Sequence, residues 1–169
     1  FSVVYLNQWN YRRRIRLHFN GKKLGFKKTS SHEITEIKKC LIALPLINQK
    51  VEQLSKICLD MSKLLEKEHK LKKITLELEL TTGDNSKCIV NIARFDVDPK
   101  PLEALALKTY QKHLLIQSDE MLHIDHPDLG RVKIKKESFI QPHMQAIESY
   151  YFRIKSSLDR FISNIFVKK

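Results

Sequence analysis

The first forty residues alternate between apolar and basic positions. In residues 12–19, apolar side chains alternate with arginines and a histidine. This period of two predicts a half-buried strand with a basic outer face. Asn20-Gly21 is a strong hairpin-turn signal, and further strands are predicted at 23–28 and 33–38. The segment therefore predicts a small antiparallel sheet with arginines and lysines projecting from one face.

A long amphipathic helix is predicted to follow and to cover this sheet. It begins at Pro45, where the missing N–H of proline costs little, and a polar run from Glu66 to Lys73 ends it. Its apolar positions recur every three or four residues and are Ile47, Val51, Leu54, Cys58, Met61 and Leu65. This spacing forms one apolar face over about five turns.

Residues 74–94 predict a second hairpin. Apolar and polar residues alternate in its two strands, which are joined by a turn at 82–85. The apolar positions are Ile74, Leu76, Leu78 and Leu80, then Cys88, Val90 and Ile92. Glu77 and Glu79 share the opposite face of the first strand, and we expect them to form a solvated face.

The last third of the chain predicts helices and short strands. Asp98-Pro99 breaks the chain before a helix whose apolar positions are Leu102, Leu105, Ala106 and Tyr110. Short strands are predicted near 113–117, 121–125 and 131–135. A final helix begins around Pro142 or His143, and its apolar stripe is Met144, Ile147, Tyr151, Ile154, Leu158, Phe161 and Ile165.

Hairpins and covering helices without regular βαβ alternation predict an α+β fold. We expect an antiparallel sheet built from hairpins, two or three covering helices and a long C-terminal helix. The predicted divisions are a domain at 1–137 and a linker motif with a helix at 138–169. The first residue is not Met, so we expect the segment to begin inside a longer protein. No apolar run approaches the ~20 residues of a membrane-spanning helix, so no membrane partner is expected.

Positive charge is the main functional signal of the composition. The 169 residues contain 31 Lys and Arg against 19 Asp and Glu, a net charge of +12. Residues 12–39 alone hold ten basic and two acidic side chains, a net +8, which leaves +4 for all the others. Such a concentration is typical of a protein that binds a polyanion, most often a nucleic acid.

The cysteine pattern indicates a reducing, cytoplasmic compartment. Cys40, Cys58 and Cys88 form no C-x-x-C pair, and their odd number argues against a secreted disulfide scaffold. Cys58 and Cys88 lie within apolar patterns and are predicted to be small buried side chains.

The residues alone reveal no catalytic constellation. His123 and His126 lie near Asp125 and Asp128, but their spacing suits metal ligands on a helix, whereas this segment is predicted to be strand and loop. No glycine-rich nucleotide loop and no G-x-S-x-G elbow occur within these residues.

The basic first strand has the chemistry that RNA binding requires. Arg12, Arg14 and Arg16 fall on one face of the predicted strand, where like charges repel unless an anion lies nearby. Arginines bind phosphates, and neighbouring aromatic side chains stack on bases. The neighbouring aromatic residues are Trp9, Tyr11, Phe19 and Phe26. Phe19 and Phe26 also fit the predicted core, and we favour that interpretation.

Two motifs in the chain carry a family resemblance. The first comprises the strand from Tyr11 to Leu17, then Gly25-Phe26, Ser30-Ser31 and the segment from Ile34 to Cys40; the second is Ser138-Phe139-Ile140-Gln141. Their order and separation resemble the uracil-C5 RNA methyltransferases, which modify tRNA and ribosomal RNA. The second motif is similar to the F-x-Q segment that opens the methyltransferase domain of that family. Residues of about 60–130 match in pattern only.

The resemblance implies a central, RNA-contacting α+β domain in an enzyme whose C-terminal domain binds S-adenosylmethionine. Gln141 matches a glutamine that contacts this methyl donor, although His143 stands where the family usually has Asn. Cys40 matches the fourth cysteine of an iron–sulfur cluster that many members hold, and the other three cysteines would precede residue 1. Together, charge and resemblance predict RNA contacts at Arg12, Arg13, Arg14, Arg16, Lys27, Lys28 and Phe139.

The catalytic parts of this family lie downstream of the F-x-Q segment. They are a glycine-rich donor loop, a cysteine that adds to C6 of uracil and a general-base glutamate, and we expect residues 1–169 without them to bind RNA but to be inactive alone. The parent reaction would be thiolate addition, methyl transfer from S-adenosylmethionine and base-assisted elimination. The alternatives are a stand-alone basic RNA-binding or ribosome-associated module and a protein-interaction domain that uses the final helix. We also expect self-association through residues 154–166, whose apolar side chains the missing catalytic domain would cover in the parent.

Overall fold

A five-stranded antiparallel sheet forms the centre of the protein. The computed structural model describes residues 8–114, 121–126, 130–135, 149 and 151–160. The strands are β1 (Arg14–Phe19), β2 (Leu24–Lys27), β3 (Ile34–Glu36), β4 (Lys73–Thr82) and β5 (Cys88–Asp98), in the spatial order β3-β2-β1-β4-β5. The two predicted hairpins are therefore present, and β1 and β4 join them into one sheet.

Two helices cover one face of this sheet. They are α1 (Pro45–His69) and α2 (Glu103–His113), which follows a 3-10 turn at Lys100–Leu102. Pro45 begins α1 as predicted, and Lys70 ends it in a left-handed conformation (φ 57°) in which its N–H donates to the carbonyls of Glu66 and Leu65. A third helical segment, α3, occupies 151–160. The α+β class is confirmed.

The core lies between the sheet and α1. Phe19, Leu76 and Leu80 on the strands are no more than 1% exposed, and Val51 and Cys58 on α1 are fully buried. Burial raises the pKa of the Cys58 thiol to about 12, so this cysteine is a buried apolar group, as predicted. The buried hydroxyl of Tyr110 on α2 donates a 3.0 Å hydrogen bond to the Cys58 carbonyl and fastens α2 to α1.

A separate hairpin is attached at one end of the sheet. It consists of β6 (Leu122–His126) and β7 (Gly130–Ile134), near the strands predicted at 121–125 and 131–135. Three of its apolar side chains form a small cluster with Ile89 of β5, and they are Leu122, Ile124 and Ile134. The backbone of this hairpin closely approaches the β4–β5 turn. A Cβ on Gly83 would lie only 2.5 Å from the His123 carbonyl oxygen, so only glycine fits there without a shift.

One prediction near α2 is wrong. The strand expected at 113–117 does not begin at its first residues, because His113 ends α2 and the Leu114 N–H still donates to the Tyr110 carbonyl. Leu105 is 41% exposed, since this short helix turns only the side chains of Ala106, Tyr110 and Leu114 to the core. Residues 115–117 lie outside the described residues.

Several predictions concern parts of the chain that the structure does not describe. These are the start of the final helix, the boundary between 137 and 138, and the stripe positions Met144, Ile147, Phe161 and Ile165. Within the described part of this helix, Ile154 is 61% and Leu158 54% exposed.

Candidate nucleic-acid interface

The face of the sheet opposite α1 and α2 carries the polar side chains of the strands. Because side chains alternate along a strand, the residues between the buried positions all project to this side. We call this surface the open face, and its charged and polar residues include Arg14, Arg16, His18, Lys27, Glu36, Lys73, Thr75, Glu77, Glu79, Arg94, Asp96 and Asp98. The register places Arg16 opposite Glu79 and His18 opposite Glu77.

The arginines of β1 are paired with a carboxylate of the same sheet. Arg16 Nη2 lies 3.0 Å from Glu79 Oε2, and Arg14 Nε lies 3.6 Å from Glu79 Oε1 and donates to Thr81 Oγ1 at 3.0 Å. The anion that these like charges require is therefore the Glu79 carboxylate of the neighbouring strand. Glu79, expected on a solvated face, is only 13% exposed. One carboxylate thus serves two guanidinium groups.

The second carboxylate lies between β1 and β2. Glu77 Oε1 is 3.2 Å from Lys27 Nζ and 3.5 Å from His18 Nδ1. Burial opposes ionisation of Glu77, but the hydrogen bond from Lys27 and the nearby positive charges together lower its pKa. For His18, burial first and the charge of Lys27 second lower the pKa below 6.5, against the opposing charge of Glu77. Burial and the charge of Lys27 thus favour the neutral form of His18.

Three further residues of the predicted RNA-binding set lie away from this arrangement. Arg12 precedes β1, where its N–H donates to the Ile42 carbonyl and its carbonyl accepts from the Leu44 N–H. Arg13 is 13% exposed and bonds through Nη2 to Asp84 Oδ1. Lys28 pairs with the exposed carboxylate of Glu33 in the loop between β2 and β3.

Arg13 therefore has a structural role. Asp84 Oδ2 also accepts the backbone N–H of Asp125 at 2.9 Å, and the Asp84 N–H donates to the His123 carbonyl at 2.7 Å. The Arg13 guanidinium thus holds the β4–β5 turn in the position that binds the hairpin of β6 and β7.

Two cations of the open face were not found by sequence reasoning. Strict alternation from Val90 and Ile92 would place Arg94 on the core side of β5. A β-bulge opposite Glu77 and Leu78 shifts the register, so that Arg94 lies opposite Glu77 on the open face. Lys73 lies in the run that was expected to end α1. Neither Arg94 nor Lys73 forms a salt bridge with any residue that the structure describes.

The aromatic side chains do not line the open face. Phe19 is 1% exposed and Phe26 packs against the core, so the core interpretation of both is confirmed. Trp9, which is 56% exposed, precedes β1. Across the described strands, the open face holds no Phe, Tyr or Trp. This surface is therefore suited to contacts with phosphates and not to stacking on bases.

Of the residues expected to hold cofactors, Cys40 lies in the described part of the chain. The Cys40 side chain is 9% exposed and belongs to the core cluster, and its backbone exchanges two hydrogen bonds with the Asn48 amide. Among the described residues, no group of three His, Cys, Asp or Glu side chains could hold a metal ion. Phe139, Gln141 and His143 lie outside the described residues. Asp125, considered above as a neighbour of the histidines, pairs with Arg131 at 3.1 Å.

Comparison of the sequence with models of known protein families and with curated proteins yields no match. In the parts of the chain that the structure describes, no helix is both long enough and apolar enough to cross a lipid bilayer.

Proposed function

We propose that the chain contributes the RNA-contacting domain of a cytoplasmic uracil-C5 RNA methyltransferase that acts on tRNA or ribosomal RNA. The observation that carries the RNA part of this proposal is the open face, where basic side chains project from a rigid sheet. Arg14, Arg16 and Lys27 are oriented by shared carboxylates, and Lys73 and Arg94 add charge without a salt-bridge partner among the described residues.

The ion pairs of the open face are compatible with phosphate binding. Exposed salt bridges contribute only ~0–1 kcal/mol each, so a phosphate can compete for the same guanidinium and ammonium groups. Arg16 is 54% and Lys27 39% exposed, which leaves donors accessible beyond Glu79 and Glu77. Because no aromatic side chain lines the described open face, we expect binding through the RNA backbone with little sequence preference.

The methyltransferase part of the proposal is supported by the sequence resemblance at 10–44 and 138–141. S-adenosylmethionine would supply the methyl group in the complete enzyme, with Gln141 as the residue that contacts it and Phe139 near the RNA. For the iron–sulfur cluster, the described residues offer one matching ligand, Cys40, and its thiol lies against the apolar core. The described residues alone therefore do not fit a four-cysteine cluster.

RNA binding is tested by the salt dependence of affinity for an unmodified tRNA transcript. We expect log K to fall linearly with log salt concentration, because bound cations of the protein release counterions from the RNA. The Arg16→Gln variant should have lower affinity for the RNA. The magnitude of its log–log slope should be smaller by ~0.7–0.9, which corresponds to the loss of one phosphate contact. Lys67→Gln, which removes an equal charge from the exposed side of α1, should leave both unchanged.

Equal effects of Arg16→Gln and Lys67→Gln would contradict a specific role of the open face. Methyl transfer is tested separately with the complete gene product, S-adenosylmethionine labelled in its methyl group and RNA. Labelled C5-methyluridine is the expected product. RNA binding without any methyl transfer would instead support the stand-alone RNA-binding module.

A further inference from the structure

The open face contains a hollow of about 480 Å³ at the end remote from the β6–β7 hairpin. Its charged and titratable side chains come from four strands and one loop and are His18, Lys27, His32, Lys73, Glu77 and Arg94. This volume lies in the range of pockets that bind small molecules, ~300–1,000 Å³. Three permanent cations and two histidines thus line the hollow beside Glu77, and a second carboxylate, Asp96, lies opposite Thr75 of the lining.

Glu77 and Asp96 offset only part of this charge, and Asp96 also pairs with Lys100, which does not line the hollow. Glu77 is engaged by Lys27, whereas Lys73 and Arg94 make no salt bridge with any described residue. In addition, Nδ1 of His18 is buried and forms no hydrogen bond within the described structure, although Glu77 Oε1 lies 3.5 Å away. His18 also lines the hollow, so an anion bound there would act on its ring.

We propose that this hollow binds one phosphate group, with Lys73 and Arg94 as its principal ligands and His18 as a third. The arrangement suits a dianion or a phosphodiester, because the donors come from β1, β4 and β5 and converge on one site. If the phosphate belongs to RNA, the inference rests on the proposed function, and the hollow then fixes one nucleotide of the bound strand on the open face.

His18 supplies a direct readout of this binding. The charges that act on its ring are Lys27 on β2, Glu77 on β4 and Arg16 on β1, and Lys73, Arg94 and His32 line the same hollow. An anion in the hollow favours the charged imidazolium, so binding should raise the pKa of His18. A phosphate bound elsewhere on the protein would leave this value unchanged.

The experiment follows the His18 ring resonances by NMR against pH, with chloride at equal ionic strength as the reference. The probes are inorganic phosphate, 5′-hydroxyl pentauridylate and 5′-phosphorylated pentauridylate. A response to the 5′-hydroxyl oligonucleotide identifies a backbone phosphodiester as the ligand. A response only to the 5′-phosphorylated form identifies a terminal phosphate, and a response only to inorganic phosphate identifies the free anion.

Substitutions of Lys73 and Arg94 test whether phosphate binds in the hollow. Lys73→Gln and Arg94→Gln should each weaken phosphate binding about three- to fivefold, the size of an exposed charge contact, while Lys67→Gln should not. The proposal is overturned if no probe shifts the His18 titration beyond chloride, or if all three variants behave alike. RNA binding that leaves His18 unaffected would contradict the hollow but keep the proposed function. A response of His18 to phosphate in a protein that does not bind RNA would support the hollow as a phosphate site but contradict the proposed function.

Discussion

The contact between Arg13 and Asp84 predicts a local loss of stability that can be measured residue by residue. The Asp84 carboxylate accepts from the Arg13 guanidinium and from the Asp125 N–H, with the two side chains of the pair 13% and 27% exposed. Hydrogen bonds to charged groups contribute ~1.5–3 kcal/mol, and partial exposure places this contact in the lower part of that range. We therefore expect Asp84→Asn to destabilise the attachment of the β6–β7 hairpin by about 2 kcal/mol.

Hydrogen exchange is the appropriate assay, because it separates local opening from global unfolding. A loss of 2 kcal/mol corresponds to an approximately 30-fold faster exchange, expected at the amides of 122–126 and at residue 84 itself. Amides of the core strands, such as Leu17 and Leu78, should change less. Arg13→Gln should produce the same pattern, and the double variant should be less than additive because both remove one contact. Glu33→Gln, which breaks the exposed Lys28 pair, is the matched control. Uniform acceleration over the whole sheet would refute the reasoning.

Three further outcomes follow from the structure. Tyr110→Phe should lower the free energy of unfolding by about 1 kcal/mol, seen as a Tm ~2–4 °C lower, because it removes the buried bond to Cys58; an unchanged Tm would contradict this. The free energy of unfolding should fall as pH drops below about 6.5, because the pKa of His18 is lowered in the folded state and the unfolded chain binds the proton first. Chemical denaturation of His18→Gln at several pH values should show a free energy of unfolding that depends less on pH. The exposed Ile154 and Leu158 predict self-association that Leu158→Glu reduces in sedimentation experiments, and a wild-type protein that stays monomeric at its highest soluble concentration would exclude it.

Local patterns predicted the elements of the fold well. The alternation in 12–19 and 74–80 marks β1 and β4, and the three–four spacing after Pro45 marks α1, because burial of one face dictates each period. The failures lie where the period breaks. The bulge in β5 moves Arg94 to the open face, and the short α2 buries fewer positions than its apolar residues suggested.

The electrostatics of the site could not be predicted from neighbouring residues. Arg16 and Glu79 are 63 positions apart in the sequence, and they meet only because β4 returns beside β1 after the whole of α1. The same long-range pairing brings Arg13 to Asp84, so this arginine also connects the start of β1 to the β4–β5 turn. The basic segment is therefore visible in the sequence, but the acidic partners that orient it are not.

The central claim is that RNA binds to the open face of the sheet. The most direct measurement is a map of backbone amide NMR shifts during titration with a short RNA hairpin. The account predicts that the largest changes occur on β1, β4 and β5, around Arg16, Glu77 and Arg94, and that amides of α1 near Lys63 and Lys67 stay unchanged. Changes concentrated on α1, with the open face unaffected, would contradict it.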